Sequence, residues 1–213
     1  MRKETFKQLA LKVINKDVFS LCYDKSKVIY IHIPKAAGTS ICHALFRDDP
    51  WHYNADELKL INAKKFNSYK KVAFVRDPLD RIISTYLYSK KHISENPGTS
   101  ISFMKNIADI DDFIENFLDE NLVNDHYFFW KQSSYLNCEM DFIGKFENIK
   151  EDFNNMCSYL GVDINLQHKN KSIQKDNKIE IKKENIEKIY SLYSDDYEMF
   201  GYEKRLNPKI IIK

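Results

Sequence analysis

A lysine and two hydroxyl residues lie in a short run of small residues, IHIPKAAGTS, at residues 31–40. The apolar run before Pro34 predicts a buried strand, and Thr39 and Ser40 are typical of the start of a helix. A strand that turns sharply into a helix leaves several backbone N–H groups unpaired at one point, and that point attracts phosphate. Lys35 adds a full positive charge there. This run therefore predicts a phosphate-binding loop.

The position of the lysine separates this loop from the P-loop of nucleoside triphosphatases. The motif GxxxxGK[ST] places its lysine directly before the Ser/Thr, whereas Lys35 precedes Thr39 by four residues. A lysine at the start of the loop would lie beside the terminal group of the ligand, without the magnesium geometry of kinases. The position of Lys35 therefore implies a reaction whose leaving group differs from that of a kinase. Three small residues let an anion approach the backbone closely: Ala36, Ala37 and Gly38.

A second strand–turn–helix unit contains FVRDPLDRIISTY at residues 74–86. The run at 71–75, KVAFV, predicts a strand, and Arg76 begins the turn that follows it. Asp77 is a typical helix cap, and Pro78 is favoured at a first helical position. The two motifs therefore stand at equivalent places, each directly after a predicted strand.

Together the two motifs resemble those of the cytosolic and Golgi sulfotransferases. In that family a strand leads into Pro-Lys-x-x-Gly-Thr-Ser, which binds the 5′ end of 3′-phosphoadenosine 5′-phosphosulfate (PAPS), and residues 34–40 match this pattern. The resemblance implies PAPS as the sulfate donor and 3′,5′-adenosine bisphosphate as the product. It implies that the donor is bound by Lys35, Ala36, Ala37, Gly38, Thr39 and Ser40. Ala36-Ala37 departs from the more frequent Thr-Gly or Thr-Ala, which removes one hydroxyl from the loop.

The resemblance also gives the second motif a role, because it looks like the family's 3′-phosphate element. Arg76 and Ser84 match the residues that hold the 3′-phosphate. A planar guanidinium can bond a phosphate through two N–H groups, and a serine hydroxyl adds another donor. Arg81 has two interpretations, a further phosphate contact or a structural ion-pair partner.

The likeness covers roughly residues 27–203 and is to the carbohydrate-modifying branch, sulfotransferase family 2. Three later segments match it as well: DFIGKFENIKEDF at 141–153, HKNKS at 168–172 and IYSLYSDDYEMFGY at 189–202. By this resemblance, Lys171 and Ser172 belong to a loop that closes over the nucleotide. A solvated loop is the alternative interpretation.

Attack of an acceptor hydroxyl on sulfur needs a base for its proton and a donor for the leaving oxygen. Lys35 fits the donor. His52 is the first candidate for the base, because its position is similar to that of the catalytic histidine in the uronyl 2-O-sulfotransferases of this family. Three alternatives stay open: His126, Asp56 and Glu57. His32 lies within a strand, and we interpret it as a structural residue that supports the loop.

No metal-ligand spacing occurs among the histidines and cysteines, and sulfuryl transfer in this family needs no metal, so we expect no metal site. Trp51, Tyr53 and the aromatic run at 127–130, YFFW, have two interpretations. They could form sugar-binding faces or belong to the core, and core is favoured for the run. The acceptor is expected to be a carbohydrate or another hydroxyl compound.

The elements that must position these residues are those of an α/β protein. We predict two parallel strands joined by a right-handed crossover that contains a helix. The strands cover Lys27–Ile33 and Lys71–Val75, and the helix covers Ala55–Ala63. With the resemblance, this predicts a three-layer P-loop-like fold with a central, mainly parallel sheet flanked by helices. We expect a single domain over residues 1–213. The remaining predicted elements are a strand at Phe142–Phe146, helices at Thr5–Ile14, Leu79–Lys90, Ile107–Leu118, Asp125–Leu136, Glu147–Leu160 and Lys182–Tyr193, and a loop at Gln167–Lys178.

Composition limits the partners. The net charge is +2 over 213 residues, but residues 1–105 carry 19 Lys/Arg against 10 Asp/Glu. A basic half suits a small polyanion, and we expect no nucleic-acid partner, since DNA-binding domains more often have a pI above about 9. The apolar runs are shorter than the ~20 residues of a membrane span. The chain opens on no secretory signal and has four scattered cysteines, so we expect a cytoplasmic location.

Two rival functions remain at this point. One is a P-loop kinase that uses ATP and magnesium, and the other is a nucleotide-binding module without transfer activity. The missing GK[ST] and the dedicated 3′-phosphate element, which ATP cannot use, argue against the kinase.

Overall fold

The computed structural model describes residues 18–95, 99–166 and 179–205. It divides into two compact units. The first contains the described parts of Met1–Val75 and Ser134–Lys169, and the second contains those of Arg76–Ser133 and Asn170–Lys213. The single domain expected over the whole chain stays a prediction. Four predictions lie outside the described residues: the helix at Thr5–Ile14, the loop at Gln167–Lys178, and the nucleotide contacts of Lys171 and Ser172.

The strands of the described chain are β1 (Val28–Ile31), β2 (Lys70–Val75) and β3 (Phe142–Lys145). The α-helices are α1 (Gly38–Phe46), α2 (Ala55–Ile61), α3 (Ala63–Ser68), α4 (Pro78–Glu95), α5 (Ile110–Asn116), α6 (Glu120–Asp125), α7 (Gln132–Tyr135), α8 (Ile149–Leu160), α9 (Lys183–Leu192) and α10 (Ser194–Phe200). A π-helical turn covers Phe19–Tyr23, and 3₁₀ turns cover Ser102–Asn106 and Phe146–Asn148.

The first unit is built on a parallel sheet with the strand order β1-β2-β3. Val28 pairs with Lys70, and Val72 pairs with Phe142. All of β1 and the last four residues of β2 are buried, as expected for parallel strands covered on both faces. The α/β class and the parallel sheet are therefore confirmed.

Helices α1 and α8 cover one face of this sheet. Alternate strand residues point to the same face, and those on this face pack against the two helices. The shared core consists of Val28, Tyr30, Ile41, Cys42, Val72, Phe74, Phe153, Met156 and Cys157. Because this core holds both β1 and α1, it fixes the two ends of the loop that joins them.

The helix predicted over Ala55–Ala63 is interrupted at Asn62, so that α2 and α3 are separate. Asn62 has an extended φ of -152° and a side chain that accepts a hydrogen bond from the Lys65 N–H. Asparagine is a strong N-cap, and here it begins a new helix rather than continuing the old one. Helix α2 itself begins with a capping box between Asn54 and Glu57.

The second unit is helical around α4, α5, α9 and α10. Side chains of these helices form one apolar core, which includes Leu79, Ile82, Ile83, Tyr86, Phe113, Ile114, Ile189 and Tyr193. Helix α4 begins at Pro78, and the Asp77 side chain accepts a hydrogen bond of 3.0 Å from the Asp80 N–H. The predicted start of this helix is confirmed. No helix in the described ranges is long and apolar enough to cross a bilayer.

The helix predicted over Asp125–Leu136 is wrong. Helix α6 ends at Asp125, and only Gln132–Tyr135 is helical within that range. The carbonyls of Phe128 and Trp130 bond to the buried Arg81 instead of to a helical N–H, so a tertiary contact overrides the local preference. The helix predicted at Ile107–Leu118 is shorter than expected, because Asp109 caps it at Ile110. The strand near 142–146 and the helices near 147–160 and 182–193 are confirmed within a few residues.

Candidate active site

The predicted phosphate-binding loop, called the phosphate loop from here on, covers residues 32–37 and joins β1 to α1 within the first unit. Lys35 and Ala37 have left-handed backbone conformations, with φ of 67° and 64°, and Ala36 between them does not. Alternating handedness turns successive N–H groups toward one side and forms an anion-binding concavity. The N-terminus of the nine-residue helix α1 adds its own N–H groups at Gly38. The backbone therefore has the form that an anion-binding loop needs.

Gly38 is required by a neighbouring side chain. A Cβ built on Gly38 would overlap the imidazole ring of His32. His32 follows β1 directly and is only 3% exposed. The missing side chain at Gly38 is thus explained by packing within the protein as well as by room for an anion.

A carboxylate ties His32 to the segment that carries the candidate base. His32 Nδ1 donates to Asp49 Oδ1 at 2.9 Å, and the same oxygen accepts the Trp51 N–H at 3.0 Å. Burial raises the pKa of Asp49, but the hydrogen bonds from His32 and Trp51 outweigh burial and lower it. Asp49 is therefore ionised, and it links His32 to the segment that carries His52. This link agrees with the structural role predicted for His32.

A backbone carbonyl determines which nitrogen of the His52 ring carries the proton. Its Nδ1 lies 2.9 Å from the backbone carbonyl of His32. A carbonyl can only accept, so Nδ1 carries the proton and Nε2 holds the lone pair of the neutral ring. Burial is the main cause that lowers the pKa of His52 to about 4, and the Lys35 charge adds a smaller effect, against the opposing effects of the carbonyl and Asp49. His52 is therefore neutral at pH 7, and the Lys35 charge is close enough to influence it.

His126, the second candidate base, lies in the other unit, and the lone pair of its ring accepts a hydrogen bond from the backbone. Its Nδ1 accepts the Phe128 N–H at 3.3 Å. The proton of the neutral ring is then on Nε2, which donates to the Ser100 hydroxyl at 3.0 Å. This arrangement makes His126 a weaker candidate than His52.

The two candidate carboxylate bases also have structural roles. Glu57 is buried and accepts the Asn54 N–H at 3.0 Å in the capping box of α2. Asp56 accepts a hydrogen bond of 3.2 Å from the Asn137 side chain. Both contacts explain these carboxylates without a catalytic role.

In the second unit, a buried glutamine holds the backbone of Arg76. The Arg76 N–H donates to Gln132 Oε1 at 2.9 Å, and Gln132 Nε2 donates to the Arg76 carbonyl at 2.8 Å. The fully buried Asp196 in turn accepts the N–H groups of Gln132 and Ser133, each at 2.8 Å. This chain of hydrogen bonds fixes the backbone of Arg76, and the half-buried Ser84 lies on α4 of the same unit. No local spacing in the sequence signals these roles of Gln132 and Asp196.

Arg81 has a structural role. It is fully buried and donates to the carbonyls of Phe128 at 3.2 Å and Trp130 at 2.6 Å. Its guanidinium also lies over the Tyr193 ring, 5.7 Å from the centroid. The ion-pair interpretation of Arg81 implied a carboxylate partner, but its partners are backbone carbonyls.

The candidate aromatic residues divide between core and surface. Phe129 is fully buried, which confirms the core interpretation for that residue, while its neighbours Tyr127, Phe128 and Trp130 are half-buried. Trp51 is 59% exposed, and its ring centroid lies 5.6 Å from that of His52. An exposed indole beside the candidate base keeps the sugar-binding interpretation open for Trp51.

One group of possible metal ligands occurs in the described chain. Ligand atoms of His32, Cys42 and Asp49 lie within 4.8 Å of one another. Burial and the charge of Asp49 raise the pKa of the Cys42 thiol well above its usual range, so the thiol is protonated at neutral pH in this structure. We interpret the group as a hydrogen-bonded His–Asp pair beside a buried thiol.

Comparison with known proteins gives two matches. The model of the sulfotransferase family matches residues 20–203. Human carbohydrate sulfotransferase 9 is 24% identical over 233 aligned positions, which cover 84% of this chain and 52% of that protein. The chain thus spans about half the length of this curated relative. No solved structure matches the chain.

Proposed function

Because this chain belongs to the sulfotransferase family, in the branch called sulfotransferase family 2, we propose that it transfers the sulfuryl group of PAPS to a hydroxyl of a carbohydrate. The supporting observation is the combination, within the first unit, of the phosphate loop and His52. The alternating backbone handedness of the loop suits an anion, and His52 is neutral with its lone pair on Nε2. The similarity to a human carbohydrate sulfotransferase supports the proposed acceptor class.

The donor chemistry of the residues fits PAPS. The N–H groups of the loop and the hydroxyls of Thr39 and Ser40 suit the 5′-phosphosulfate. Arg76 and Ser84 suit the 3′-phosphate, and two hydrogen bonds to Gln132 hold the backbone of Arg76. When bound, PAPS supplies an activated sulfuryl group. Lys171 and Ser172 stay predicted contacts.

The proposed reaction needs one base and one donor from this chain. His52 Nε2 accepts the proton of the acceptor hydroxyl while the oxygen of that hydroxyl forms a bond to sulfur. The bond from sulfur to the phosphate oxygen breaks, and Lys35 stabilises the negative charge that this oxygen gains. A pKa of about 4 makes His52 a weak base in the unliganded protein. Bound phosphate charges would raise the pKa and strengthen the base where it is needed.

Nucleotide titrations test this proposal first. We expect 3′,5′-adenosine bisphosphate to stabilise the protein in a thermal-shift titration more than ADP, or ATP with magnesium, does at matched concentrations. Lys35→Ala should weaken binding of both ADP and the bisphosphate, whereas Arg76→Ala should weaken binding of the bisphosphate alone. A preference for ATP with magnesium would favour the kinase instead.

An acceptor screen tests the reaction itself. Defined monosaccharides and oligosaccharides, with simple non-sugar alcohols as controls, are incubated with PAPS, and sulfated products are measured by mass spectrometry. Sulfation of sugars in preference to the alcohols is expected. Bisphosphate binding with no transfer to any acceptor in the screen would favour a nucleotide-binding module. A cytoplasmic location stays a prediction.

A further inference from the structure

An arginine far along the chain pairs with two carboxylates at the start of α4. Arg205 Nη2 donates to Asp77 Oδ1 at 3.0 Å and to Asp80 Oδ1 at 2.8 Å. The side chain of Asp77 is 10% exposed and that of Asp80 is 27% exposed. Both ion pairs are thus partly shielded from solvent, where a charge interaction is stronger than at an open surface.

The backbone of Arg205 is held in place by a tyrosine. The Tyr190 hydroxyl donates to the Arg205 carbonyl at 2.8 Å and accepts the Arg205 N–H at 2.9 Å. Tyr190 packs edge to face against Tyr197, and the Tyr197 hydroxyl accepts the Leu79 N–H at 3.2 Å. The segment that carries Arg205 is therefore anchored to the first turn of α4.

The two carboxylates create an electrostatic conflict. Asp77 caps α4, and Asp80 lies in its first turn, where negative charge stabilises a helix. Asp77 also directly follows Arg76, the residue proposed to hold the 3′-phosphate. Two carboxylates within four positions of that arginine in the sequence would repel a phosphate dianion bound there and offset the attraction of its guanidinium. The start of the helix favours acidic residues, and the phosphate disfavours them.

We propose that Arg205 resolves this conflict, and that it is a positioning residue which sets the preference for nucleotides with a 3′-phosphate. Its charge offsets one of the two negative charges of Asp77 and Asp80, so that Arg76 meets the phosphate against less competing negative charge. This inference rests on the proposed function, since it concerns the 3′-phosphate element of the same site. It assigns Arg205 no direct contact with the nucleotide.

The test compares two ligands and a set of matched variants by calorimetric titration. The ligands are 3′,5′-adenosine bisphosphate and ADP, which lacks the 3′-phosphate. Arg205→Gln should lower the affinity for the bisphosphate roughly tenfold, with ADP affinity unchanged, and the deficit should shrink at high salt. Arg205→Lys should retain most of the affinity. Lys182→Gln, which removes the exposed ion pair with Glu115, is the control and should change neither affinity.

The double variant Asp80→Asn with Arg205→Gln separates neutralisation from other roles. Removing one carboxylate should restore much of the lost bisphosphate affinity if charge balance is the cause. An arginine that contacts the phosphate directly, or that only anchors its segment, would show no such recovery, and that result would overturn the inference. Equal loss of ADP and bisphosphate affinity would overturn it as well. A wild-type protein without preference for the bisphosphate would instead reject the proposed function, and with it this inference.

Discussion

The two units hold their proposed functional side chains in different ways. In the first unit, the loop, His32, Asp49 and His52 support one another within a short stretch of chain, residues 32–52. In the second unit, Arg76 is held by Gln132, 56 positions away, and Asp77 is paired with Arg205, 128 positions away. The first unit uses local contacts around the proposed chemistry, and the second uses distant contacts around a proposed phosphate site.

This difference predicts where substitutions act. In the first unit, the supporting residues lie close to the candidate base, so their loss should affect turnover. In the second unit, the supporting residues are distant in sequence and Gln132 is fully buried, so their loss should affect stability and nucleotide affinity. The variants below test whether the two units differ in this way.

The largest expected effect is that of His52→Ala. Loss of the general base should lower kcat by about 10²–10⁴-fold in a PAPS-dependent transfer assay. Affinity for 3′,5′-adenosine bisphosphate, measured by calorimetry, should remain close to that of wild type, because no phosphate contact is removed. His126→Ala is the matched control and should retain turnover. The reverse pattern would move the proposed chemistry into the second unit and break the comparison.

Gln132→Met should produce the largest loss of stability. Methionine is similar in length but leaves the Arg76 N–H and carbonyl without their partner in a fully buried place. Unsatisfied buried groups cost about 1–3 kcal/mol each, so we expect the free energy of unfolding to fall by roughly 2–6 kcal/mol in urea denaturation.

The affinity of the same Gln132→Met variant for the bisphosphate should fall more than its affinity for ADP. Asn121→Ala removes an exposed amide from the same unit and should change stability by less than about 0.5 kcal/mol. If Gln132→Met were as neutral as this control, the buried support of Arg76 would have no energetic role.

Gly38→Ala tests the packing of His32 on the loop. The added methyl would overlap the His32 ring, and overpacking of this kind costs about 1–3 kcal/mol. In a His32→Ala background the ring is absent, so the same substitution should cost much less. Thermal or urea unfolding of the two single variants and the double variant measures this coupling. Additive costs would show that Gly38 is required for a reason other than the ring.

Local signals were sufficient for much of the fold. The β-branched run before Pro34 and the Asp77-Pro78 start of α4 correctly predicted a parallel strand and a helix, because both are set by neighbouring residues. The helix predicted over Asp125–Leu136 failed, because Arg81 binds carbonyls in that segment from 47 and 49 positions away. Helical periodicity contains no information about such a partner.

The same division applies to the candidate site. Motif spacing and the family resemblance predicted roles for Lys35, His52 and Arg76, and these roles stay predictions. Neither identified Gln132 or Arg205, whose partners are brought to them only by the fold. A buried glutamine and a distant arginine have no characteristic spacing, so residues that position a site are harder to predict than residues that contact its ligand.

The pH dependence of turnover should reveal the effect of bound nucleotide on His52. The pKa of His52 is about 4, so the base is active above that pH and is lost as the pH falls through it. The pH profile of kcat/KM for the acceptor, measured at low PAPS, should therefore fall on its acid side near pH 4. Nearby phosphate charges favour the protonated ring, so the limb of kcat at saturating PAPS should lie roughly one pH unit higher or more. Coincident limbs near pH 6.5 would point to a histidine outside this environment.

The smallest expected effect is that of Ala37→Gly, and it tests whether the loop keeps a strained backbone for the anion. Ala37 has a left-handed φ of 64°, which costs a residue with a Cβ about 1–2 kcal/mol relative to glycine. Part of that gain is offset by the greater freedom of glycine in the unfolded chain, so we expect the free energy of unfolding to rise by roughly 0.5–1 kcal/mol. Ala44→Gly, within α1, is the matched control and should lower it by about 1 kcal/mol. Two losses of equal size would mean that the backbone at Ala37 is unstrained, and the local support of the first unit would then depend on side chains alone.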